Sequence, residues 1–235
     1  MVVRIYFLVI VSASVALASS ARAQNTSQPP DTMAARVEAC APCHGDKGQG
    51  TSDVYFPRLA GKPASYLYNQ LLAFRNIRRK YPPMNYLLEF LPDPYLQAMA
   101  DFFASQHPPL LSPEASEVGP DVLKHGEALV THGDASRSIP ACGSCHGPAL
   151  TGMEPAIPGL LGLRPKYVSA QLGAWRYGTR TAKAPDCMQI VAGKLTEADV
   201  TSVAAWLATR RAPENSAPVP KGTYGLPFSC GSQPD

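Results

Sequence analysis

Residues Ile139–Gly152 read IPACGSCHGPALTG, and Glu38–Gly50 had already read EACAPCHGDKGQG. Each stretch holds two cysteines separated by two residues, with a histidine directly behind the second: Cys40, Cys43 and His44, then Cys142, Cys145 and His146. A thioredoxin-like redox pair would need a surrounding βαβ pattern, and no such pattern is present. A structural zinc site takes four ligands, whereas each stretch supplies three. The other histidines, His107, His125 and His132, do not recur between the two stretches. Covalent haem attachment needs this spacing: both thiols add to porphyrin vinyl groups as thioethers, and the adjacent histidine reaches the iron. Two such motifs predict two covalently attached haem c groups, with iron as the metal.

The sequence around the motifs is duplicated as well. Pro57, Leu59, Gly61, Tyr66, Gln70, Leu71 and Arg75 align with Pro158, Leu160, Gly162, Tyr167, Gln171, Leu172 and Arg176 at one constant offset. Phe74 faces Trp175 and Arg79 faces Arg180. After a three-residue insertion in the second copy, Met84 faces Met188, Leu91 faces Leu195 and Ala100 faces Ala204. This is an internal repeat. Tyr66, Leu67, Gln70, Leu71 and Phe74 have the spacing of one helix face. Thr196 with Asp199 reads as a capping box opening the last helix of the second copy. In the first copy Asp93 is the expected cap, with Pro94 as the first helical residue. The fold class is therefore all-α: two tandem domains, each a few short helices and long loops wrapped around a haem.

The boundaries follow from composition. Residues 1–23 carry an early Arg4, an apolar run and Ala21-Arg22-Ala23, the marks of a cleaved signal peptide. The run is too short to cross a bilayer comfortably, so no transmembrane segment is expected after cleavage. The first domain then covers 24–106, a Pro- and Ser-rich linker 107–120, the second domain 121–211, and a Pro-rich tail 212–235. Without residues 1–23, Lys+Arg falls from 21 to 19 against 18 Asp+Glu. That near-neutral balance gives no support for nucleic acid binding, which wants a concentrated basic face. With the signal peptide removed, the mature protein is expected to be exported. The sequence leaves its oligomeric state open.

A second axial ligand must come from late in each domain. Met84 and Met188 recur, 40 and 42 residues after His44 and His146, in stretches (PPMN, DCMQ) that read as extended or turn-like. The alternative for either is a packing methionine. Met99 has core spacing, and Met153 lies too close to His146 to cross to the far haem face. Thioether ligation favours reduced iron and raises its potential. Pro57 and Pro158 follow the histidines by 13 and 12 residues. Their carbonyls could fix the imidazoles by accepting Nδ1–H, or the prolines could simply kink the loops. Tyr66, Gln70, Arg75 and Arg79, with Tyr167, Gln171, Arg176 and Arg180, are candidates for haem propionates, Arg being suited to carboxylates; ordinary surface roles compete for some of them. Cys187 and Cys230 are left over. In an oxidising compartment they are expected to form a disulfide, although Cys187, beside Met188, could instead ligate iron.

With these residues on view, CAPCH…PRLAG…YLYNQLLAFR…PPM and GEALVTHGD…IPACGSCHG…CMQIVAGKLTEADV resemble the diheme cytochrome c4 type within the class I cytochromes c. The resemblance covers nearly all of the mature chain up to Arg211. It implies two class I cytochrome domains related by pseudo-twofold symmetry, with His44 and Met84 on one iron and His146 and Met188 on the other. It also implies periplasmic electron transfer, commonly to a terminal oxidase. PPMNYLLEFLPDP, with Pro92 where the second copy has Thr196, and the tail with Cys230 depart from the pattern. The expected function is a single-electron carrier with redox protein partners. A dedicated cytochrome subunit of a periplasmic dehydrogenase is the alternative. A diheme peroxidase or thiosulfate-oxidising enzyme is a third reading, requiring an open iron and acid–base groups beside it.

Overall fold

A computed structural model describes residues 31–53 and 55–233. The segment 1–23, expected to be a signal peptide, lies outside those residues. In the first repeat, α1 (Met33–Arg36) and a 3-10 turn lead into α2 (Ala41–His44). After a long loop come α3 (Ala64–Arg75), α4 (Pro82–Leu88) and α5 (Asp93–Ala104). The second repeat has α6 (Pro120–Thr131), α7 (Gly143–His146), α8 (Pro165–Arg176), α9 (Cys187–Ala192) and α10 (Glu197–Ala208). A two-residue antiparallel ladder, β1 (Gly152–Met153) with β2 (Ile157–Pro158), closes the loop behind α7.

Each repeat has its own core. Leu67 and Phe74 of α3 meet Leu96, Met99, Ala100 and Phe103 of α5, and Leu96 and Ala100 are wholly buried. Full burial of one such leucine contributes about 1.5–3 kcal/mol. In the second repeat Leu129 and Val130 of α6 meet Val203, Trp206 and Leu207 of α10. Gly126 permits that crossing, because a Cβ there would lie 2.1 Å from the Ser202 carbonyl oxygen. Pro120 supplies a preset φ at the first position of α6, so Gly126 sits mid-helix.

Some local expectations are revised. Thr196 and Asp199 do form the capping box that opens α10. At α5, however, the N-cap is Pro92 and Asp93 is the first helical residue, where it bridges Arg75 at 2.6 Å instead of capping. Met84 and Met188 are helical, not extended. Pro82 and Pro83 open α4, and the Asp186 carboxylate caps α9 by accepting from Gln189 N–H. The linker has no helix before Pro120, yet it is held down. Arg58, buried, donates to the carbonyls of Pro108 and Pro109, and Glu114 pairs with Arg164.

Candidate functional site

The two C-x-x-C-H stretches fold alike. Cys40 and Cys142 stand at the N-caps of α2 and α7, and each short helix ends on its histidine. Both histidines are buried. His44 Nδ1 lies 2.9 Å from the Pro57 carbonyl oxygen, and His146 Nδ1 lies 2.7 Å from that of Pro158. A carbonyl only accepts, so Nδ1 carries the proton and Nε2 keeps its lone pair, the tautomer a metal requires. Burial holds both imidazoles below their ordinary range, against the stabilising proline carbonyls. Nearby cations, Arg79 for His44 and Lys62 for His146, push the same way. Each ring is therefore neutral and directed before any ligand binds.

Around His146 the chain leaves an apolar-walled cavity of about 1380 Å³, mouth included, lined by Cys142, Cys145 and Met188 together with Leu172, Trp175 and Leu207. It gathers both thiols, the histidine and the methionine of one repeat at one space. In the first repeat Cys40 and Met84 pack against a single cluster that includes Val37, Phe74 and Leu88. Met99 and Met153 are buried packing residues. The described part of the C-terminal tail, 212–233, has no helix and folds back onto the second repeat. Val219 pairs with Met153, Cys187 and Cys230 are joined as a disulfide, and Leu226 and Phe228 line the cavity. The disulfide is the pairing expected from the sequence; the cavity lining by Leu226 and Phe228 is not legible there, because tail residues carry no periodicity to place them.

Six of the eight propionate candidates meet at one place, between the repeats. Arg79 donates to Gln70, to Tyr167 Oη (2.9 Å) and to Gln171 (2.6 Å). Arg180 donates reciprocally to Gln171, to Tyr66 Oη (3.3 Å) and to Gln70 (2.7 Å). Arg75 and Arg176 lie apart from this cluster. Both end their helices, and Arg75 turns back to the Leu91 carbonyl and Asp93, while Arg176 lies over the Tyr177 ring.

Lys62, which donates to the Gly159 carbonyl, joins Arg79 and Arg180 at the interface, and Arg58 lies behind it, bonded to the linker. None of the four forms an ion pair among the described residues. Arg58, Arg79 and Arg180 are buried and Lys62 is half-buried. Loss of solvent brings Lys62 down to about 8; the Tyr167 phenol opposes this, and Arg58 and Arg180 reinforce it. Withdrawn cations without carboxylates are costly in a bare protein. Haem propionates are the anions that would balance them, and the cavity, thiols and neutral histidines fit the same group.

No protein-family model matches the chain. It is 35% identical to the "Thiosulfate dehydrogenase electron acceptor" of Thiomonas intermedia over 77% of this chain and 84% of that protein. It is 33% identical to cytochrome c4 of Pseudomonas aeruginosa, over 74% and 84%. Among solved structures, reduced cytochrome c4 from Pseudomonas stutzeri superposes with a TM-score of 0.67 at 29% identity, over 76% of this chain and 97% of that one. A thiosulfate dehydrogenase from Marichromatium purpuratum gives 0.67 at 34% identity, over 73% of this chain and 36% of that longer one. With the duplicated attachment motifs and the paired helical repeats, these likenesses identify the molecule: the chain belongs to the cytochrome c4 family, diheme c-type electron-transfer cytochromes with covalently bound haem.

Proposed function

We propose that this cytochrome is the periplasmic electron acceptor of a sulfur-compound dehydrogenase, receiving single electrons at one haem and passing them through the other to a further redox protein. Bound haem supplies a one-electron iron couple; the chain supplies everything that makes the couple useful. His44 and His146, with Nδ1 held by proline carbonyls, present Nε2 in a fixed direction. Met84 and Met188, helical and packed on their cores, are the proposed opposite ligands. The apolar walls exclude water, which limits reorganisation when the charge changes. The interface arginines, bonded to tyrosines and glutamines of both repeats, are the proposed propionate partners and keep the two centres in one rigid relation.

The observation that carries the partner assignment is the kinship to two proteins named as thiosulfate dehydrogenase electron acceptors, 35% and 37% identical. The dehydrogenase-subunit reading has support of its own: this chain matches 36% of a solved thiosulfate dehydrogenase chain. His125 lends the enzymatic reading no support, since it is tied to Asp199 at 2.7 Å on the cap of α10. Export to the periplasm accords with the leader-like N-terminus, and no helix among the described residues is long and apolar enough to cross a membrane. The test is to mix oxidised holoprotein with a thiosulfate dehydrogenase and thiosulfate. Both haems should become reduced, with no reduction when the enzyme is omitted. Failure to reduce, or thiosulfate oxidation by the cytochrome alone, would contradict the proposal. Stoichiometric co-purification of the two proteins would favour the fixed subunit over the shuttle.

A further inference from the structure

The duplication provides an internal control for every interface residue. Tyr66/Tyr167, Gln70/Gln171 and Arg79/Arg180 keep the same residue type in both copies. Two positions do not: Arg58, tied to the linker carbonyls of Pro108 and Pro109, faces Gly159, and behind Gly61 and Gly162 the first copy has Lys62 and the second has Leu163. Gly61 and Gly162 both have φ +70°, so the backbones there correspond and the difference lies in the side chains. Lys62 crosses from the first repeat to the second. Its Nζ donates to the Gly159 carbonyl at 3.0 Å, one residue beyond the proline that holds His146. It lines the same cavity as Cys145, His146 and Met188. Arg58 and Arg180 act on it as like charges, and among the described residues no carboxylate pairs with it. A cation kept in such company brings no stability of its own to the bare chain. Its charge acts on what fills the cavity.

We infer that Lys62 is a positioning residue for the second haem: an ammonium lent by the first repeat that biases the second iron towards its reduced state, while Leu163 returns no charge in the opposite direction. The inference rests on the haem reading above. Gaining one electron makes an iron centre less positive, so a fixed positive charge nearby favours the reduced form, and more strongly in an apolar cavity than in water. If a propionate meets Lys62, neutralising that carboxylate acts in the same sense. The two otherwise similar repeats thereby differ in electron affinity, and the second becomes the electron's resting place.

The test compares wild-type holoprotein with Lys62→Gln, Lys62→Met and Lys62→Arg. Gln keeps a donor for the Gly159 carbonyl and removes the charge; Met removes both; Arg keeps the charge. Each variant is first checked for two thioether-bound haems by mass and by pyridine haemochrome. Potentiometric titration then follows the two one-electron steps, with the step that also moves in Met188→Ala assigned to the second haem. Gln and Met should each shift the electron's distribution about tenfold away from the second haem, equivalent to 59 mV for one electron, leaving the first step in place. Arg should restore the wild-type curve. A Lys62→Gln curve matching wild type would overturn the inference, because the Gly159 hydrogen bond alone would then account for the residue. An equal shift in both steps would overturn it as well. A wild type lacking two closed haems would instead overturn the haem reading, and this inference with it.

Discussion

Arg79 and Arg180 pair through their backbones in an isolated antiparallel bridge, one from each repeat. Flanking bonds, Lys80 N–H to the Thr179 carbonyl and Thr181 N–H to that of Arg78, extend the contact. Each guanidinium then stacks within its own repeat, Arg79 over Phe74 at 4.4 Å and Arg180 over Trp175 at 3.7 Å. Two like charges are thus buried at the centre of the interface, satisfied by neutral oxygens only. Replacing Arg180 by Ala removes bonds to Gln171, Tyr66 and Gln70 from a buried site. Hydrogen bonds to charged groups contribute about 1.5–3 kcal/mol each, and relief of the repulsion from Arg79 offsets part of the loss. A net destabilisation of about 3 kcal/mol is expected in urea unfolding of the holoprotein. A loss below about 1 kcal/mol would show that the bridge alone holds the repeats.

Asp199 tests the second repeat's structural electrostatics. Its side chain is 3% exposed and receives Arg137, His125 and the Thr196 N–H. Burial alone would raise its pKa, but Arg137, Thr196 and His125 together hold it far below the ordinary carboxylate range. A carboxyl depressed in the folded state contributes stability that is fully present above its unfolded pKa and is lost as pH falls through its folded value. Asp199→Asn should therefore cost about 3–5 kcal/mol at pH 7, as expected when one partner of a buried pair is removed. The difference between variant and wild type should narrow as the solution is acidified below about pH 4. Denaturant curves at pH 7 and pH 3 check both statements.

Ile77 sits at φ 58° and is 53% exposed, while its counterpart in the second repeat, Gly178, has φ 69°. A β-branched residue in left-handed backbone costs about 1–2 kcal/mol, and so exposed a side chain recovers little of it by burial. Ile77→Gly should raise the stability of the holoprotein by about 0.5–1 kcal/mol, after the entropy glycine adds to the unfolded chain. Destabilisation would mean that the isoleucine makes a packing contribution larger than its exposure suggests.

The Cys187–Cys230 disulfide, 43 residues apart, fixes the tail beside Met188. Its removal by Cys230→Ser should lower stability by about 2–4 kcal/mol, near the chain-entropy figure for such a loop. The variant should also admit exogenous ligands such as imidazole to the second iron more readily than to the first, since Leu226 and Phe228 of the tail line that cavity. Unchanged ligand binding would place the barrier in the repeat itself.

Repetition made most of the architecture legible. A motif written twice fixed the register, and matching helix faces fixed α3 with α8 and α5 with α10. Each motif's histidine could be paired with its proline because 13 or 12 residues let a loop return to α2 or α7. What one chain in isolation concealed was which copy a side chain serves. Tyr66, Gln70 and Arg79 look like partners of their own repeat, yet they bond across to Arg180, Tyr167 and Gln171. Lys62 was invisible for the same reason: nothing local distinguishes a lysine after a glycine from a surface charge. Arg75 stands apart from these interface residues, because Asp93, one residue later in its helix than expected, offers it a nearby carboxylate.

The central claim is that each iron is closed by a histidine and a methionine and serves only to carry electrons. A potentiometric titration of purified holoprotein, followed in the visible and near infrared, tests it most directly. Two high potentials are predicted, with methionine–iron charge-transfer intensity accounting for both haems. A low-potential or high-spin haem would contradict the claim, because an iron open to substrate or closed by another ligand belongs to an enzyme or to a different carrier.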